Sequence, residues 1–179
     1  MESIEARKIQ LEQWLMQTGM FASLQLLPLA GDASFRRYYR LIHADHSWIV
    51  MDAPPPQENV IPFVAVATAL RAWGVQTPEI VAAEPTKGFL LLTDFGDATY
   101  LKTLTPDNAT DLYQTALIAL ARLQSCRQVP GHIIPPFTTD FMWQEWAWHK
   151  EWFLDKLLGL NIQQQEKILD DCYASIVSA

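Results

Sequence analysis

The sequence predicts an α+β fold, a five-stranded antiparallel lobe carrying one helix and followed by a helical region, and three observations carry that prediction. Between Leu24 and Leu92 short apolar runs of strand length alternate with turn-forming residues. One longer stretch with helical spacing, from Asn59 to Trp73, interrupts them. From Asn108 onward helical spacing is the only pattern.

Residues 3 to 17 place Ile4, Leu11, Trp14 and Leu15 on one helical face, with Gly19 as a stop and Glu5, Lys8 and Glu12 on the solvated side. Three strands follow, Leu24 to Leu29, Phe35 to Ile42 and Trp48 to Met51, joined by a turn at Gly31 to Ser34 and another at His43 to His46. Pro54-Pro55-Pro56 ends the third strand. Asn59 caps the next helix, which tolerates Pro62 in its first turn and carries a stripe of Phe63, Val66, Leu70 and Trp73 toward the core. Glu79 to Ala83 and Phe89 to Leu92 are the last strands, connected by the turn Pro85-Thr86-Lys87-Gly88. Helices are expected at Asn108 to Gln124, Thr139 to Leu158 and Ile162 to Val177, with Gly131 and Pro135-Pro136 in a loop. This is the element order of a kinase-type small lobe rather than of a doubly wound parallel sheet. The expected division is a lobe with its leading helix over 1–93, a hinge over 94–99, and the start of a helical lobe over 100–179.

The 179 residues suffice for one domain or two small lobes, and 50% hydrophobic with 18% charged is the composition of a folded chain. A net charge of −7 and a pI near 5.0 argue against broad binding to nucleic acid or acidic membranes, which rests on neutralising phosphates. Cys126 and Cys172 lie far apart without a C-x-x-C pair, so they read as reduced thiols rather than a disulfide framework or zinc site. Acidic residues stand where a secretory signal would be basic, and no uncharged apolar segment approaches the roughly 20 residues that span a bilayer. The cytoplasm is the expected compartment.

Chemistry concentrates at Gly31-Asp32-Ala33-Ser34, followed by Arg36, Arg37 and Arg40. Small residues let backbone N–H groups close around an anion, and each charge-assisted hydrogen bond from arginine to a phosphate contributes roughly 1.5–3 kcal/mol. A phosphate cradle is one reading. A hairpin turn beside a solvated arginine-aromatic strand is the other.

The run Gly31 to Tyr38, then Val50-Met51-Asp52-Ala53-Pro54-Pro55, then Phe89-Leu90-Leu91-Leu92-Thr93-Asp94-Phe95-Gly96, resembles the aminoglycoside phosphotransferase superfamily. Within it, the likeness is to bacterial cell-wall amino-sugar kinases, which phosphorylate N-acetylmuramate and N-acetylglucosamine at the anomeric carbon. It continues through Leu120 to Gln124 and the 141–160 region. The resemblance implies a protein-kinase-like fold and an ATP site: Gly31, Asp32, Ala33 and Ser34 over the phosphates with Arg36 near them, and the backbone of Leu92, Thr93 and Asp94 as an adenine hinge. It also implies magnesium, an amino-sugar acceptor, and acceptor contacts near Asp140, Trp143, Glu145 and Trp146.

Several features depart from that pattern. None of the six lysines lies between Lys8 and Lys87, so Met51 or Asp52 stands where the third strand would carry its phosphate-binding lysine, and residues 61 to 73 contain no acid to pair with one. Arg36, Arg37 or Arg40 is the expected substitute. Asp94-Phe95-Gly96 spells a magnesium motif but follows the fifth strand directly, so it reads as hinge. His43-Ala44-Asp45 imitates a catalytic loop, yet Val50 replaces the metal-holding asparagine, and a surface turn explains it better. No other His-x-Asp occurs. The expectation is therefore an incomplete kinase without catalytic or metal-binding residues of its own, inactive, and prone to self-association through apolar surface.

Four of the seven tryptophans, Trp143, Trp146, Trp148 and Trp152, crowd one segment. Aromatic faces stack on sugars, with Asp140 and Glu145 available to hydroxyls, but large aromatics are also ordinary core. Two further readings stay open: a non-catalytic nucleotide- or sugar-binding module, and a kinase for aminoglycosides or other small alcohols.

Overall fold

A computed structural model describes residues 3–21, 23–30, 34–163 and 165–178. The chain forms two compact units, residues 1–133 and 134–179.

The first unit begins with helix α1 (Ile4–Gln17), whose Ser3 hydroxyl accepts the N–H of Ala6 as an N-cap. Five strands follow: β1 (Gln25–Pro28), β2 (Arg37–His43), β3 (His46–Asp52), β4 (Ile80–Glu84) and β5 (Phe89–Thr93). They make one antiparallel sheet in the order β1-β2-β3-β5-β4. Helix α2 (Val60–Ala72) is inserted between β3 and β4, and Asn59 caps it by accepting the N–H of Ile61 at 2.9 Å. The α+β lobe expected from the element order is present.

Register decides what each face carries. Arg40 sits opposite Ile49, and Ile49 opposite Leu92, while Tyr39 aligns with Val50 and Leu91. Strand alternation then puts Tyr38, Arg40, Ile49, Met51, Leu90 and Leu92 on one face. Arg37, Tyr39, Leu41, Val50, Asp52, Phe89 and Leu91 lie on the other. Helix α1 covers the second face with Leu11, Trp14 and Leu15, joined by Phe21. Helix α2 covers part of the first, through Val60, Phe63 and Val64 against Met51, Leu90 and Leu92. Burial on both faces is why β5 reads Phe-Leu-Leu-Leu without alternation. Leu11 and Leu15 are fully buried, and truncating either to alanine costs about 2–5 kcal/mol.

Two positions of the expected core stripes face solvent instead: Ile4 is 64% and Trp73 47% exposed. The small side chain of Ala67 is buried where α2 meets Thr77, whose hydroxyl donates to the Ala67 carbonyl, and Trp73 lies beyond that contact as the helix stops at Gly74. A close approach fixes Gly88. Its φ is +73°, its carbonyl accepts the N–H of Ala53, and a Cβ there would stand 1.9 Å from the Ala53 oxygen.

Beyond β5 the first unit continues with a short helix α3 (Tyr100–Thr103), which the sequence pattern missed, and α4 (Ala109–Ser125). The second unit contains α5 (Thr139–Trp148), a π-wound continuation over His149–Leu157, and α6 (Glu166–Val177). Of the aromatic segment, Trp146 stacks its ring on that of Tyr173 at 4.4 Å, whereas Phe141, Trp148 and Trp152 are exposed. No helix among the described residues is long and apolar enough to cross a membrane.

Candidate functional site

A cleft of about 400 Å³ opens on the sheet face that α2 leaves uncovered. Leu29 and Ala30 border it just after β1, β2 contributes Tyr38 and Arg40, β3 contributes Ile49 and Met51, and Leu92 to Asp97 form the far edge. Ile49, Met51 and Leu92 make an apolar wall, and backbone polar groups lie at its rim. This combination suits a flat heteroaromatic ring with hydrogen-bonding edges.

The edge after β5 is held by one network. Asp94 accepts from Arg40 Nε at 2.6 Å and Ser47 Oγ at 2.9 Å, and the N–H of Gly96 reaches its other oxygen at 2.8 Å. Arg40 also donates to both oxygens of Asp97 at 2.9 Å. Burial pushes the Asp94 carboxyl up, but the bonds from Gly96, Arg40 and Ser47 together outweigh it and hold the group below its ordinary value. Arg40 likewise lowers Asp97. Gly96 adopts φ +76°, the left-handed conformation that closes the turn onto Asp94.

Within the edge, the Thr93 N–H is committed to the Glu79 carbonyl at 3.1 Å and its hydroxyl to the Glu79 N–H. Leu92 pairs with Ile49 and Ile80 in the sheet. The backbone groups of the next two residues, Asp94 and Phe95, make no hydrogen bond among the described residues, and both residues line the cleft.

The three arginines separate. Arg36 pairs through Nε with Glu58, just before α2, at 2.9 Å, and Glu58 also accepts the N–H of Phe35. The Glu58 hydrogen bond raises the Arg36 pKa. Arg37 lies on the opposite face, bound to Asp52 at 2.8 Å. Arg40 alone of the three lines the cleft. Met51, not Asp52, occupies the cleft face of β3, since Asp52 turns to the α1 side and meets both Arg7 and Arg37. Gly31, Asp32 and Ala33 fall outside the described residues; Ser34 follows them and its hydroxyl accepts the N–H of Arg36. His43-Ala44-Asp45 forms the β2–β3 turn.

In the second unit Asp140 and Trp143 share one face of α5, Glu145 is exposed elsewhere, and Trp146 turns toward Tyr173. His149 Nδ1 lies 2.8 Å from the Tyr173 hydroxyl, whose pKa burial raises. A separate hollow of about 600 Å³ is lined by Lys150, Glu151, Asp155, Asn161 and Glu166. Lys150 is held there by Asp170 at 2.9 Å and Glu166 at 3.6 Å, and the Asp170 bond raises its pKa. None of the four sequence-selected acceptor residues lines that hollow.

The phosphotransferase enzyme family model (APH) matches residues 25–176, nearly the whole of both units. The chain belongs to this phosphotransferase family. Its relatives include proteins named N-acetylmuramate/N-acetylglucosamine kinase. One from Pseudomonas aeruginosa is 43% identical over 78% of this chain and 40% of its own length. One from Pseudomonas putida is 40% identical over 79% and 41% respectively. A third, from Neisseria meningitidis serogroup B, is 29% identical over 91% of this chain and 49% of its own. The chain thus spans less than half the length of these relatives.

Three residues of these networks were not legible in the sequence: Ser47 and Asp97 at the cleft edge and Arg7 on the opposite face. Ser47 and Asp97 had no signal beyond being polar residues in turns. Arg7 carried a misleading one, because an arginine near Glu5 and Lys8 reads as part of a solvated face.

Proposed function

We propose that this chain is the nucleotide-binding part of an ATP-dependent sugar kinase whose acceptors are N-acetylmuramate and N-acetylglucosamine. The observation that carries the reading is the cleft itself, an apolar slot ending in open backbone groups, in a chain whose relatives bear those kinase names. Adenine lies against Ile49, Met51 and Leu92, with its polar edge on the backbone beyond Thr93, at Asp94 and Phe95. Gly31, Asp32, Ala33 and Ser34 bind the phosphates. Arg36, tied to Glu58, takes the place of the strand lysine and its helix glutamate, because Met51 supplies no charge on that face. Magnesium would neutralise phosphate charge during transfer; the described residues contain no cluster of three or more His, Cys, Asp or Glu to hold it, and the oxygens of Asp94 are occupied by donors. The acceptor surface is Asp140 and Trp143, with Glu145 and Trp146 beside them. The compartment is the cytoplasm.

On its own the 179-residue chain binds nucleotide without transferring phosphate. A second reading, a non-catalytic nucleotide- or sugar-binding module, is favoured by Met51 at the lysine position and by the lack of a second His-x-Asp in these residues. ATP titration of the chain, followed by a phosphate-transfer assay with both amino sugars, tests the proposal. Saturable ATP binding without sugar phosphate is expected. Lack of ATP binding overturns the nucleotide reading, and sugar phosphate made by this chain alone overturns the binding-only part. Transfer by a longer form that contains these residues excludes the module reading.

A further inference from the structure

On the sheet face opposite the cleft, a cavity of about 510 Å³ lies between the first turns of α1 and the segment after β3. Arg7 and Arg37 line it beside Ile4, Phe35, Gln57 and the three prolines 54–56. Arg7 is 6% exposed and Asp52 1%. We propose that this cavity is an anion-binding site in which Arg7 and Arg37 receive a carboxylate or phosphate group whose apolar portion rests on Phe35 and the prolines.

The charge balance is the first argument. Two guanidinium groups share one carboxylate: Arg7 donates to one oxygen of Asp52, and Arg37 Nη2 donates to the other at 2.8 Å. Arg7 also meets the Lys87 carbonyl at 2.7 Å and the Phe89 ring at 4.6 Å, contacts that disperse its charge without cancelling it. Glu58 is occupied by Arg36 and the Phe35 N–H, and Glu5 is an exposed residue of the α1 first turn that does not line the cavity. Among the described residues one positive charge is therefore left over on an arginine pair of which Arg7 is buried and Arg37 half-buried, and an anion in the cavity would complete it.

The second argument is donor geometry. The Nε atoms of Arg7 and Arg37 are both buried and, among the described residues, both lack a hydrogen-bond partner. Buried polar groups are nearly always satisfied, so two unsatisfied donors mark this arginine pair as under-compensated by the groups around it, while the remaining guanidinium N–H groups are the ones a ligand in the cavity would meet. The positive end of α1, a 14-residue helix whose first residue, Ile4, stands at the rim, adds to the same field. The lining separates the ligand class: apolar side chains beside the arginines favour an amphiphilic oxyanion over a bare one.

The test is titration of the full chain with inorganic phosphate, benzoate and chloride at matched ionic strength, read by thermal unfolding and calorimetry. Saturable stabilisation by phosphate or benzoate, but not by chloride, is expected, and the tighter of the two identifies the head group. Ile4→Glu puts a carboxylate at the rim without touching the core and should weaken binding at least about tenfold. Arg37→Gln should do the same, whereas Arg71→Gln, at an exposed position of α2, should leave binding unchanged. Because Ile4 lies on the face away from the cleft, its effect cannot arise from phosphate bound there. Wild-type affinity in both Ile4→Glu and Arg37→Gln overturns the site, as does an anion effect equal for chloride.

Discussion

Arg40 on β2 holds Asp94 at the end of β5 through two hydrogen bonds, from Nε to Oδ2 at 2.6 Å and from Nη2 to Oδ1 at 3.3 Å. The pair ties the open edge of the cleft to β2, two strands away in the sheet, so the backbone beyond Thr93 is presented in one geometry. Asp94→Ala removes the acceptor for Arg40, Ser47 and Gly96 together. ATP affinity should fall about tenfold, since charge-assisted bonds of this kind position the edge before nucleotide arrives. Isothermal titration checks it, and an unchanged Kd would show that the edge does not contact the base.

The same network has an acid limit. The folded state holds the Asp94 carboxyl below its ordinary 3.8, so the unfolded chain takes up protons first as pH falls. The contribution to stability is complete above the ordinary value and is lost as pH drops through it toward the depressed one. Urea midpoints of the wild type and Asp94→Asn should differ by a constant amount above about pH 5 and converge below it. A gap that persists undiminished to pH 3 contradicts the assignment.

Arg36 is expected to act on phosphates and not on the base. Arg36→Ala should weaken ATP about ten- to hundredfold while adenosine affinity changes by less than about twofold. Glu58→Gln, which leaves Arg36 without its anchor, should produce a smaller loss in the same direction. Equal losses for ATP and adenosine would mean that the substitution disturbs the whole cleft instead.

Local signals were legible in the sequence and distant pairings were not. Asn59 and Gly88 announce a cap and a left-handed turn because backbone geometry near each residue demands them, and the strand order followed from such punctuation. Leu92 to Asp94 could be placed at the edge of a strand, but the loss of the Thr93 N–H to Glu79 depends on β4, which the pattern alone does not align. Arg7 finds Asp52 across 45 residues and Arg40 finds Asp94 across 54, and neither separation leaves a periodic trace. The choice between Met51 and Asp52 for the cleft face required the register, where one residue reverses every side chain.

Gly88→Ala should be strongly destabilising for a reason independent of the cleft. A left-handed φ costs an alanine about 1–2 kcal/mol, and its Cβ would overlap the Ala53 carbonyl oxygen, forcing β3 and β5 apart at their ends. A total loss of about 3 kcal/mol or more is expected in urea unfolding. A loss under about 1 kcal/mol would show that the turn relaxes freely.

Helix α4 has no buried residue, and Tyr113, Leu117 and Leu120, spaced to share one face, are 55%, 63% and 47% exposed. An apolar stripe of this length on a solvent-facing helix favours association, because removing each large side chain from water contributes roughly 1.5–3 kcal/mol. The 179-residue chain should therefore form dimers or larger species at micromolar concentration, with light-scattering masses above its 20.4 kDa. Replacing Leu117 by Glu and Leu120 by Lys should shift the population toward monomer without altering ATP binding, since neither residue borders the cleft. A monodisperse 20.4 kDa species from the unmodified chain would rule the association out.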